Sequence, residues 1–84
     1  MFKSKTPDGR NNLCGTQITK HRREMKKSQR ELADLLQLSG LDIDKNAVQR
    51  MESGQRFVTD IELVHLAKVL HVSLDELIKG TSED

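Results

Sequence analysis

Eighty-four residues with two Phe and neither Tyr nor Trp leave room for one small domain with an aliphatic core. No apolar run reaches membrane-spanning length, and Met1 to Lys5 carries no hydrophobic leader core, so neither a membrane protein nor a secreted one is expected. The single Cys14 excludes an internal disulfide and fits a cytoplasmic location, while the net charge of +1 hides a polarity: residues 1–30 sum to +7 and residues 31–84 to −6.

Met1 to Asn12 is polar, holds the only Pro and a Pro7-Asp8-Gly9 turn signal, and residues 1–14 read as a flexible or weakly docked N-terminal arm. Thr16 offers an N-cap for a first helix over roughly 16–26, with Ile18, Arg22 and Met25 on one face. Ser28-Gln29-Arg30-Glu31 is a capping box, in which hydroxyl and carboxylate satisfy free amides reciprocally; it opens a second helix over roughly 28–37, with Leu32, Leu35 and Leu36 inward. Gly40 can end that helix, and Leu41 and Ile43 alternate with polar residues in the turn that follows. Asp44 caps a third helix over roughly 44–53, with Ala47, Val48 and Met51 inward and Gly54 as its left-handed terminator. Thr59-Asp60-Ile61-Glu62 is a second capping box, starting a helix over roughly 59–71 whose apolar face is Ile61, Val64, Ala67 and Leu70. Ser73-Leu74-Asp75-Glu76 is a third, starting a short helix with Leu74, Leu77 and Ile78 before Gly80. Residues 81–84 form an acidic tail. Five short helices with brief connections leave no room for a sheet, so the fold class is all-α.

Three segments, Gln29 to Ala33, Val48 to Gly54 and Leu66 to Leu77, resemble the Cro/CI-type (Xre-type) helix-turn-helix regulators. The resemblance spans residues 15–80. It implies a compact five-helix bundle of the lambda-repressor-like DNA-binding domain type. In that family helices 2 and 3 form the motif, helix 3 lies in the major groove, and many members bind DNA as dimers. One departure stands out: Ala33 and Glu52 are nineteen residues apart, where the family pattern uses about fourteen. The extra residues lie in Gln37 to Ile43, a lengthened turn between helices 2 and 3 with both anchors kept.

Lys45, Asn46, Gln49 and Arg50 crowd the exposed face of helix 3. Arg bridges guanine O6 and N7, and Asn or Gln bridges adenine N6 and N7, each good pair discriminating by about 1–3 kcal/mol. By resemblance, Lys45, Asn46, Ala47 and Arg50 match base-contacting positions, and Gln29 matches the glutamine that contacts phosphate at a helix N-terminus. Arg23, Lys26, Lys27 and Arg56 are further phosphate candidates, unspecific and salt-sensitive. The competing reading of each is an ordinary solvated face. Arg22 sits on an apolar stripe and Glu52 sits near a helix end whose dipole disfavours a carboxylate; in the family these two positions pair.

Catalysis and metal binding lack a constellation: no phosphate loop, nucleophile elbow or Cys-x-x-Cys occurs, and His65 and His71 lie some 240° apart around one helix. No cofactor is implied, and the chain does not read as an enzyme. The expected function is sequence-specific binding of double-stranded DNA by a transcriptional regulator, with repression the favoured sign. The expected assembly is a homodimer on DNA that is weak in solution. The alternative is an antitoxin-like or accessory module that binds a protein partner with the same fold. That alternative calls for an exposed apolar stripe, which the sequence pattern does not display.

Overall fold

The computed structural model describes residues 5–79. Among them five helices follow one another without a strand: α1 (Gly15–Glu24), α2 (Gln29–Leu38), α3 (Lys45–Ser53), α4 (Asp60–Leu70) and α5 (Leu74–Lys79). Gly80 and the acidic tail 81–84 lie outside the described residues, as does the start of the arm, 1–4. No helix among the described residues is long and apolar enough to cross a membrane.

The caps form as their sequences require. Ser28 and Thr59 each accept a hydrogen bond from the amide three residues on, while Glu31 and Glu62 return a carboxylate to the cap amide. Ser73 and Glu76 make the same reciprocal pair at α5. Asp44 Oδ1 accepts from the Ala47 amide at 2.9 Å, which ties its charge to the positive end of α3.

Helices α1 to α4 share one way of stopping. A residue with positive φ follows each (Lys26, Gly40, Gly54, His71). The next amide then reaches back five residues: Lys27 to the Arg22 carbonyl, Leu41 to Leu36, Gln55 to Arg50 and Val72 to Ala67. This satisfies carbonyls that the helix itself leaves open. Two of the four residues are not glycine, so the expected ends at 26 and 71 fall one or two residues inside the terminating turn.

Ile18, Leu32, Leu36, Val48, Met51, Leu66 and Leu77 are fully enclosed and come from all five helices. In this core α2 packs on α3 and α4, and α1 packs on α3, α4 and α5. The lengthened turn is itself anchored: Ile43 is buried, Leu41 packs against the core, and the Gln37 amide donates to the Ile43 carbonyl at 2.7 Å. Ser39 Oγ also meets His65 Nδ1 on α4 at 2.8 Å.

Three expectations need correction. The inward face of α4 is Glu62, Leu66 and Leu70, whereas Ile61 and Val64 are 65% and 54% exposed. Apolar residues lie on several sides of α4, so periodicity alone could not choose a face; on the inward one Glu62 is paired with Arg56. Helix α1 begins at Gly15 rather than at a Thr16 cap, and it has no side-chain cap from Cys14. Asn12 Oδ1 takes that role from outside, accepting from the Gly15 amide at 2.8 Å. Finally, residues 6–14 are not a free arm. They lie against the end of α3, with Asn12 and Cys14 buried.

Candidate nucleic-acid interface

α3 divides cleanly around its axis. Lys45, Asn46, Gln49 and Arg50 are all exposed, and at 100° per residue they span about 140° of the circumference. Ala47, Val48, Met51 and Glu52 fill the remainder and are buried. Four hydrogen-bonding side chains therefore project from one face of a short helix, from its first turn to its last. Ala47 does not join them: only 7% exposed, it belongs to the core, and its candidacy as a base contact is withdrawn.

Glu52 holds this helix to the body. Its Oε2 accepts from Arg22 Nε at 2.7 Å and its Oε1 from Arg22 Nη2 at 3.1 Å. Gln29 Nε2 donates to the same Oε1 at 3.0 Å. Arg22 Nη1 also donates to the Lys27 carbonyl at 2.7 Å, so one guanidinium bridges α1, α3 and the α1–α2 junction. Burial works to raise the Glu52 carboxyl, but the Arg22 guanidinium and the Gln29 amide overcome it and hold the group below the usual glutamate range. The expected structural pair is thus present. Gln29, expected on a phosphate, spends its amide on Glu52, and what the start of α2 offers outward is its capped N-terminus.

The cationic candidates separate. Arg23 and Lys26 are exposed and Lys27 is half-buried, all at the end of α1 immediately before the capped start of α2. Arg56 is different. Its Nη1 and Nη2 reach Glu62 Oε1 and Oε2 at 2.9 and 3.0 Å, forming a second bidentate pair. Glu62 is 7% exposed, so Arg56 neutralises a buried carboxylate while keeping 30% of its own side chain exposed.

Sequence reasoning missed two residues at the other end of α3. Arg10 Nη2 donates to the Glu52 carbonyl at 2.7 Å, and Asn12 Nδ2 donates to the carbonyls of Met51 at 3.0 Å and Arg56 at 2.8 Å. The available signal was Gly15 in the first turn of α1. A Cβ there would lie 2.3 Å from the Met51 carbonyl oxygen, so α1 and α3 cross at backbone contact.

Residues 18–77 match the family described as helix-turn-helix. Among solved structures, the chain is similar to the c2 repressor protein of P22, crystallised in complex with synthetic operator 9T in the presence of Tl+. That likeness has a TM-score of 0.70 and 26% identity over 82% of this chain and 97% of the repressor chain. It is also similar to the restriction-modification controller protein C.AhdI from Aeromonas hydrophila, with a TM-score of 0.66 and 33% identity over 76% of this chain and 86% of that one. No curated protein matches the chain.

Proposed function

The chain belongs to the Cro/CI-type (Xre-type) helix-turn-helix family of DNA-binding regulators, and on that premise we propose that it binds specific sites on double-stranded DNA with α3 in the major groove and represses transcription there. The observation that carries this reading is the divided surface of α3. Lys45, Asn46, Gln49 and Arg50 are the residue types that read base edges, and the opposite side of the helix is locked by Val48, Met51 and Glu52. Arg23, Lys26 and Lys27, beside the N-terminus of α2, supply phosphate contacts that fix register without reading sequence. Residues 15–80 act as the DNA-binding unit. Repression follows from occupancy: a domain this small, bound over a promoter, excludes polymerase without further machinery, and the P22 relative is a repressor by name.

One recognition helix covers only a few base pairs, so the active species is a homodimer on a site with two-fold symmetry. The short helix α5 offers little apolar surface for pairing, because Leu77 is part of the core. The start of α4 supplies a larger apolar face, with Phe57, Ile61 and Val64 each more than half exposed. This is the apolar stripe missing from the sequence reading, and a second copy of the chain is the partner that fits a DNA reader.

Binding-site selection on random duplexes at stated salt tests the function. A palindromic consensus is expected, and Arg50→Ala should change it at defined base pairs. Selection without enrichment, or a consensus indifferent to Arg50→Ala, refutes the reading.

A further inference from the structure

The C-terminal end of α3 is gripped by a segment that belongs to no helix. Thr6 and Arg10 close a turn on each other, the Thr6 amide donating to the Arg10 carbonyl at 2.8 Å and the Arg10 amide to Thr6 Oγ1 at 2.9 Å. From that turn the chain runs along the exit of α3 and donates to five carbonyls there, two in the last turn of the helix and three in the residues just after it. Arg10 takes Glu52, and Asn12 takes Met51 and Arg56. The Asn11 amide takes Gly54 at 2.8 Å, and Asn11 Nδ2 takes Gln55 at 2.9 Å. A helix leaves its last carbonyls without internal partners, and a cation at that end is favoured by the dipole.

The seat of Arg10 is built from two glycines on different helices. A Cβ on Gly15 would lie 2.2 Å from Arg10 Nη2, and a Cβ on Gly54 would lie 2.8 Å from Arg10 Cζ and 2.9 Å from its Cγ. Gly54 also has φ of +83°, so both shape and backbone require glycine there. Within the slot Arg10 Nε is enclosed. Glu52 is therefore fixed at both ends: Arg22 and Gln29 hold its side chain, and Arg10 holds its carbonyl.

Resting on the reading of α3 as the helix that meets DNA, we propose that residues 6–12 are a strap whose Arg10 and Asn12 are positioning residues for α3. They fix the last turn of α3 against α1 and so set the pose of Arg50, which stands in that turn, and of the donors before it. The strap touches no base. Its contribution is read in affinity through the geometry of the recognition face, and loosening it releases Met51, Glu52 and Arg56 carbonyls to water.

The test compares Arg10→Ala, Arg10→Lys and Arg50→Ala in the full chain, on a duplex selected by the unaltered protein, across several salt concentrations. It is run at a temperature where circular dichroism shows each variant folded. Arg10→Ala is expected to weaken binding about tenfold, as a lost base contact would, with the salt slope unchanged. Arg10→Lys should regain part of that loss, and amide exchange at Glu52 to Arg56 should quicken in Arg10→Ala while Leu32 and Leu66 stay protected. Full affinity in folded Arg10→Ala overturns the proposal even if exchange quickens. A salt slope lower by about one overturns it too, because it puts Arg10 on a phosphate. If Arg10→Ala does not fold, Asn12→Ala is judged by the same criteria. Arg50→Ala separates the two readings. If it leaves affinity intact, α3 is not the reader and the premise falls. If it weakens binding while folded Arg10→Ala does not, the premise stands and the strap alone is refuted.

Discussion

Arg22 on α1 and Glu52 on α3 form a two-pronged ion pair with only 10% and 6% of their side chains exposed. A pair so enclosed contributes little over a well-packed apolar pair, yet breaking it by removing one partner is costly. Glu52→Ala is therefore expected to lower stability by about 3–5 kcal/mol, since it strands the Arg22 charge. The double variant Arg22→Met with Glu52→Leu should recover much of that loss. Thermal melts of the singles and the double decide it, and strictly additive losses would show that the two residues are not coupled.

Arg56 separates a clamp from a brace. Because both of its terminal nitrogens serve the buried Glu62, Arg56→Ala is expected to cost about 1.5–3 kcal/mol of stability, the range for hydrogen bonds to a charged group. The salt slope of DNA binding should not change. A slope reduced by about one, with an unaltered melting temperature, would restore Arg56 to the phosphate contacts.

These two pairs mark the boundary of what the chain discloses on its face. Arg22 and Glu52 were legible because each was out of place: a charge on an apolar stripe, and a carboxylate at the wrong end of a helix. The three capping boxes and the Asp44 cap were legible because they are local, needing only four residues each. Leu41 and Ile43 likewise announced the anchored turn by alternation. Glu62 was different, since its capping role explained it fully and hid its ion pair with Arg56. The strap was illegible for a related reason. Arg10, Asn11 and Asn12 look solvated, and only carbonyls at and just beyond the end of a helix some forty residues away give them these partners. Lys26 and His71 end helices without glycine, which no propensity would suggest.

Acid should unfold the protein through its paired carboxylates. At Glu62, as at Glu52, burial pushes the carboxyl up, but bonds from Arg56 and the Thr59 amide outweigh it and leave the group lowered. Both groups therefore bind a proton less readily in the folded chain than in the unfolded one. Their contribution is complete above the ordinary glutamate value of about 4.3 and is lost as pH falls through the lower folded values. Urea midpoints are expected to hold steady down to about pH 5 and then fall, and Glu52→Gln should flatten that fall. A decline already under way near pH 6.5 would assign the sensitivity to histidine instead.

Base readers and phosphate contacts should separate on one duplex. Asn46→Ala is expected to cost about 1–3 kcal/mol on the best site and to relax preference at particular base pairs. Lys26 stands exposed beside the start of α2, so Lys26→Ala should weaken all sequences alike and lower the salt slope by about one. Competition titrations at three salt concentrations measure both quantities. Equal losses of Asn46→Ala on specific and random DNA would remove Asn46 from the base readers.

Pairing on DNA should depend on the start of α4. Ile61 and Val64 lie three residues apart on one helical face and are solvent-exposed in the single chain, so their substitution leaves no cavity in the core. Ile61→Asp is therefore expected to keep the melting temperature within about 2–4 °C, in line with surface substitutions of about 0.5 kcal/mol or less. On a palindromic duplex the unaltered protein should load two copies together, while Ile61→Asp should load them independently and more weakly. Sedimentation of the free protein and of its complexes supplies the stoichiometry, and the unaltered chain should be monomer or weak dimer without DNA, because three side chains bury far less than a stable interface needs. If Ile61→Asp still loads cooperatively, the pairing surface lies elsewhere, and Leu74→Asp on α5, where Leu74 is 44% exposed, becomes the next variant to read.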